Sequence, residues 1–213
     1  MPFTLSTPFS RPGQIVVITA GEQTGALERF TIDLTVGQTS GSVPVRYAAN
    51  ILDDVDETRT SVAAWATSNV ITDNYLGQLV VVDDDPTPTF TLAPVKATVK
   101  EGSSAKWTVT LSAPVNYGVE VSGRVIRGPG ADVTGRDVPA SWLRDHADTR
   151  HPARALHRLD AYVYAAIESG STKASLSVPM RKDGKREGRE AVTVKVTVLG
   201  SKSTKTVYVA SSR

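Results

Sequence analysis

His146, His151 and His157 lie close together, with Asp145 and Asp148 beside them. Imidazoles and carboxylates in one segment are the raw material of a zinc site or a hydrolytic base. Metal-binding pairs on a helix sit four residues apart, or in tight loop spacings. Here Pro152 interrupts the set and the gaps are longer, so the segment reads as an exposed polar loop. Ser103 and Lys106 satisfy Ser-x-x-Lys by letter. That motif works when the serine opens a helix that brings the lysine beneath it. Here it leads into a strand, where positions three apart face opposite ways. Gly128-Pro-Gly130 is a turn, and no Gly-x-Ser-x-Gly occurs. There is no cysteine, which excludes disulfides, thiolate metal sites and thiol nucleophiles. The chain reads as non-enzymatic.

Charge is balanced overall and uneven along the chain. The 24 basic and 22 acidic residues leave a net charge of +2. Acidic residues cluster at Asp53, Asp54, Asp56 and Glu57 and again at Asp83, Asp84 and Asp85. Basic residues concentrate from Arg124 to Arg189. Opposite signs on the two halves favour head-to-tail contact. The basic run Arg181, Lys182, Lys185, Arg186 and Arg189 lacks interleaved aromatics and sits among acids. It is therefore expected to dock on an acidic protein surface and not on nucleic acid. No apolar stretch is long enough for a membrane helix.

The elements that position these residues are strands. Hydrophobic residues make up 40% of the chain but aromatics only 6%, so the core is aliphatic. Short runs rich in Val and Thr recur, as suits a pleated, half-buried surface. They cover residues 14–20, 29–35, 42–48, 61–67 and 76–82 in the first half. In the second they cover 89–92, 97–100, 106–111, 119–126, 161–167, 174–180, 191–199 and 204–210. Strands at this spacing with turn signals between them predict an all-β chain of two tandem Greek-key, immunoglobulin-like sandwiches. Pro86 and Pro88 cannot continue a central strand. They set a linker at 86–88 between a trimmed first module, 14–85, and a fuller second one, 89–213. Residues 141–159, with Trp142, Leu143 and Leu156, read as a partly helical insertion and a contact surface. Residues 1–13 read as an extended arm that a neighbouring subunit ties down through Pro2, Phe3, Leu5, Pro8 and Phe9.

An internal repeat supports two modules. Phe30-Thr-Ile-Asp-Leu-Thr matches Trp107-Thr-Val-Thr-Leu-Ser, and the segment from Gly37 matches that from Gly170. The second module resembles a Calx-β domain. Val99-Lys-Glu101-Gly102 resembles its opening Val-x-Glu-Gly, and Gly135-Arg-Asp137-Val138 its Gly-x-Asp-Tyr. Asp183, Glu187, Gly188 and Glu190 resemble its acidic hairpin. In the first module the match is partial: Asp53, Asp54, Asp56 and Glu57 resemble the acidic loop, and Asp83, Asp84 and Asp85 the closing triplet. The resemblance implies a Greek-key sandwich and, in some members, calcium at one end. Calcium takes about six to eight oxygen ligands. The first set has enough carboxylates. The second set, Glu101, Asp137, Asp183, Glu187 and Glu190, is crowded by cations and reads as degenerate.

Two roles follow as expectations. One is a structural assembly protein, most concretely a head decoration or tail-associated component of a tailed bacteriophage, assembled in the host cytoplasm. It would be homo-oligomeric or docked on a shell or tube. The other is a calcium-stiffened adhesion or spacer module of a bacterial surface protein, on the cell surface or secreted. The opening residues carry no basic-then-apolar leader, which favours the first.

Overall fold

The computed structural model describes residues 1–21, 27–44, 51–66, 76–183 and 188–210; the side chains of Gly21, residues 57–66 and Leu76 are outside the description. The chain divides into two compact units, Met1–Asp85 and Pro86–Arg213. The division falls at the aspartate triplet and the proline after it. Both units are built from strands.

In the first unit, β1 (Pro2–Thr4), β2 (Gly13–Gly21), β3 (Leu27–Leu34), β4 (Ser40–Ser42), β5 (Glu57–Ala66) and β6 (Leu76–Val81) form two sheets. One has the order β3-β2-β5-β6, antiparallel throughout. The other is the pair β1-β4. Central β2 is buried on both faces at Ile15, Val16 and Val17, as its β-branched run requires. Ile15, Val17, Leu34 and Val43 form a small core, covered by Met1, Phe3, Leu5, Phe9, Phe30 and Ile32.

The N-terminal arm therefore differs from expectation. Its own unit holds it. Pro2, Phe3 and Thr4 pair with Ser42, Gly41 and Ser40. The Leu5 amide donates to the Thr39 carbonyl at 2.8 Å, and the Phe9 amide to that of Gln38 at 2.9 Å. A four-stranded sheet with an apolar face needs a cover, and the arm is the nearest apolar segment available. The strand expected at 42–48 is instead the short β4 at Ser40–Ser42, with residues 43–44 outside any strand; residues 45–48 lie outside the described residues.

The second unit contains β7 (Phe90–Pro94), β8 (Thr98–Lys100), β9 (Ser104–Leu111), β10 (Val119–Ile126), β11 (Ala131–Asp132), α1 (Ala140–His146), a 3-10 turn at Leu156–Arg158, β12 (Tyr162–Ile167), β13 (Lys173–Pro179), β14 (Glu190–Val198) and β15 (Ser201–Ala210). A three-stranded sheet, β13-β9-β7, faces a six-stranded one of order β12-β10-β14-β15-β8, with β11 beside β14. The chain changes sheets from β7 to β8, β8 to β9, β9 to β10, β12 to β13 and β13 to β14, which makes the unit a Greek-key, immunoglobulin-like sandwich. Strict alternation drives it: β10 reads buried-exposed from Val119 to Val125. Trp107, Val109, Leu176 and Val178 from one sheet meet Val121, Val163, Val194 and Val207 from the other in one core.

The insertion at 141–159 is partly helical, as expected, through α1 and the 3-10 turn at Leu156–Arg158. It belongs to that core: Leu143, Leu156 and Leu159 are buried with Val133 and Val138. Its charged residues Arg144, Asp145, Arg150, Arg154 and Arg158 stay exposed. Gly135 shows how tightly the segment packs. A Cβ there would lie 2.8 Å from the Pro152 carbonyl oxygen and 2.9 Å from Leu159. The Gly-Arg-Asp motif thus has a packing reason.

Candidate functional site

The carboxylates of the first unit come together in part. The Asp83 amide donates to the Asp56 carboxylate at 2.9 Å, which ties the loop at 51–56 to the end of β6. Asp53 is buried and Asp84 exposed. The Asp85 carboxyl is pushed above its ordinary value by partial desolvation and then by the negative charges of Asp83, Asp84, Asp54 and Asp53. The cluster repels itself. Glu57's side chain lies outside the described residues.

In the second unit Glu101, Asp137, Asp183 and Glu190 line one cleft with Met180, Arg181 and Val209. The order of motifs along the sequence thus corresponds to one place in the fold. The cleft is closed, with no room for a water-sized sphere. Asp137 is occupied locally: its carboxylate accepts from the Thr134 amide at 2.7 Å and the Thr134 hydroxyl at 2.6 Å. The Asp137 carbonyl accepts from the Arg181 amide at 2.6 Å. Glu187, Lys185 and Arg186 lie outside the described residues. Among the described residues, no three carboxylate or imidazole groups are placed to share an ion. Among the described residues, neither donor set as it stands brings together the convergent oxygens that calcium needs.

The histidines are not gathered either. His146 stacks on Trp142, with ring centroids 4.7 Å apart and planes 9° apart. Half-buried His157 faces Asp132 at 3.4 Å, and His151 is exposed. Asp148 is held down to about 2, because Arg150 donates to its carboxylate from side chain and backbone. These are local structural bonds.

Of the residues assigned to partner contact, several are already used within the chain. Phe3, Leu5 and Phe9 cover the first core. Trp142 packs on the second core and on His146. The Arg189 guanidinium lies 3.6 Å above the centre of the Tyr208 ring, a cation–π contact. Pro8, Arg181 and Lys182 are exposed and Pro2 is an exposed strand residue.

Sequence reasoning missed a different surface. The outer face of the six-stranded sheet carries a groove of about 490 Å³, lined by Arg124, Tyr162, Tyr164, Lys195 and Lys202 among others. Tyr162 and Tyr164 are 46% and 66% exposed, unusual for rings this size. The signal was present: they are alternate positions of one strand, so they share a face. What places Arg124 and Lys195 beside them is strand order, which no local pattern contains.

No family model matches the chain, and no curated protein matches it. Among solved structures, the CBD12 region of CALX1.2 shares 9% identity at a TM-score of 0.35, covering 92% of this chain and 73% of that one. The calcium binding domain CBD12 of CALX1.1 shares 10% at a TM-score of 0.36, with coverage of 92% and 72%. The apo-form Calx CBD1 domain shares 9% at 0.37, covering 58% of this chain and 98% of that domain. The structural neighbours are thus Calx-β domains, alike at the level of fold only.

Proposed function

We propose that the chain is a non-enzymatic assembly protein whose two β units bind neighbouring protein subunits. In its most concrete form it is a head decoration or tail-associated component of a tailed bacteriophage, placed on the particle in the host cytoplasm. The observation that carries the assembly reading is charge segregation. Residues 1–85 hold four basic and eleven acidic residues, a net of −7; residues 86–213 hold twenty and eleven, a net of +9. Segregation on that scale steers copies or partners into one orientation. The phage form adds an analogy from fold to role, since small sandwiches decorate such particles. In the cells that make it, the chain should co-sediment with virion-sized particles on a density gradient. Recovery only as the free 22.7 kDa chain would overturn the reading.

A second reading is a calcium-stiffened adhesion or spacer module. One observation favours it: the mutual repulsion around Asp85, which a cation would relieve. Binding would require the carboxylates of the first unit to move together. If calcium binds the folded unit, millimolar calcium raises its melting temperature over that in chelator, and Asp84→Asn with Asp85→Asn removes the rise. An identical melting curve in both buffers rules the metal out.

A further inference from the structure

We propose that the tyrosine-lined groove on the outer sheet face of the second unit receives the acidic, apolar-edged end of the first unit of another copy, so that the chain assembles head to tail. This deepens the assembly reading and rests on it.

The groove is built in rows by strand register. Tyr162, Arg124 and Lys195 are successive Cα partners across β12, β10 and β14. Tyr164, Ser122, Thr197 and Lys202 form the next row, from β12 to β15. Neighbouring strands are about 4.8 Å apart, so each row runs from a ring to a cation in two or three steps. Arg124 and Lys195 stand directly opposite each other and both point outward. Like charges so placed destabilise a sheet, and an anion laid over them removes that cost. Two acids lie nearby: Glu120 lines the groove on the same strand face, and Asp160 meets Arg124 at 3.6 Å with both side chains largely in water. Such a pair is weak and readily exchanged. Tyr162 is fixed in advance: its hydroxyl donates to the Asp145 carbonyl at 2.8 Å and its ring lies 5.5 Å from that of His146. The surface is therefore a preformed site for a ligand that is anionic and partly apolar.

The chain carries such a ligand. At the acidic end of the first unit, Ile51 is 87% exposed and Val82 66%, and Val55 and Val80 are exposed as well. They alternate with aspartates: Ile51 precedes Asp53 and Asp54, Val55 precedes Asp56, and Val82 precedes Asp83, Asp84 and Asp85. The bond from the Asp83 amide to Asp56 joins the two segments into one edge. Its apolar side chains match the tyrosines, and its carboxylates match Arg124, Lys195 and Lys202. Donor and acceptor surfaces are different parts of the chain, so in the head-to-tail form proposed the contact is heterologous and generates rings or filaments.

Sedimentation velocity of the intact chain over a concentration series, at low and high salt, tests this. Two variants are needed: Lys195→Glu with Lys202→Glu, and Asp84→Lys with Asp85→Lys. All four positions are at the surface, and far-ultraviolet circular dichroism checks that each variant is folded. The unaltered chain should grow past dimer with concentration at low salt and less so at high salt. Each variant alone should associate more weakly by about tenfold or more. An equimolar mixture of the two should grow again, because every groove then meets an edge of opposite sign. A monomer at all concentrations overturns the proposal, as does a closed dimer or growth that the reversals leave unchanged. So does capture of an oligothymidylate or a polygalacturonate by the groove of a monomeric chain. Co-sedimentation with particles in cells alongside a monomer in solution would overturn the groove assignment and leave the assembly reading standing.

Discussion

Replacing Trp107 with Ala will destabilise the second unit by about 3–5 kcal/mol and lower its melting temperature by about 10–20 °C. Trp107 is fully buried, at 0% exposure, and is the largest side chain so buried in the described residues. It sits on β9, the middle strand of its sheet, with Leu176 and Pro94 as its cross-strand partners. A core this aliphatic contains nothing of similar volume to move into the space. The indole Nε1 is buried without a hydrogen-bond partner among the described residues, and an orphaned donor costs about 1–3 kcal/mol. Trp107→Phe should therefore cost much less than Trp107→Ala, since it removes that donor and keeps most of the ring. Urea unfolding followed by near-ultraviolet circular dichroism reads both. Equal losses for the two variants would show that ring volume is not what the site requires.

Removing residues 1–9 will unfold the first unit and leave the second folded. The segment supplies Met1, Phe3, Leu5 and Phe9 to a core that has four buried residues among those described. It also supplies the partners of three backbone groups of the loop after β3 and the start of β4: Thr39 and Gln38 as acceptors, and Gly37 as donor to the Phe9 carbonyl at 2.7 Å. Burying an apolar side chain of this size fully is worth about 1.5–3 kcal/mol. Four of them, even half-buried, contribute a large part of the stability of a small domain, about 5–15 kcal/mol in all. Amide resonances of residues 13–44 should collapse to the unfolded range in the truncated chain, and those of the second core should not shift. Survival of the first unit's resonances would mean that the arm merely rests on the surface. Deleting the arm is therefore no test of assembly: loss of a partner would report unfolding, and the surface charge reversals are the cleaner probe.

Much of the fold was legible because a strand announces itself locally. Alternation marked residues 119–126, and β10 occupies Val119–Ile126. Pro86 and Pro88 marked the break between units, because a residue without an amide hydrogen cannot extend a central strand. The motifs around Glu101, Asp137, Asp183 and Glu190 predicted one end of a sandwich, and the chain places those four residues at one cleft. Whether that cleft is open or closed depends on how Met180, Arg181 and Val209 pack, which no motif states. The arm was misread for a related reason. Prolines and a lack of period describe a segment without structure of its own, but not what it will cover. The partly helical insertion was legible but its burial was not: Leu143, Leu156 and Leu159 are spaced too irregularly for either period and become core only when the sheets beneath them exist.

The sequence by itself determined that the chain is all β, where most of its strands run, where it divides and how its charge is split, since each depends on neighbours within a few residues. The tertiary structure alone decided that the arm closes its own unit. It also decided that β12, β10, β14 and β15 lie side by side, placing two tyrosines against three cations. Strand order and register join residues from 122 to 202. They are settled by the burial of whole faces, a condition that no single segment satisfies alone.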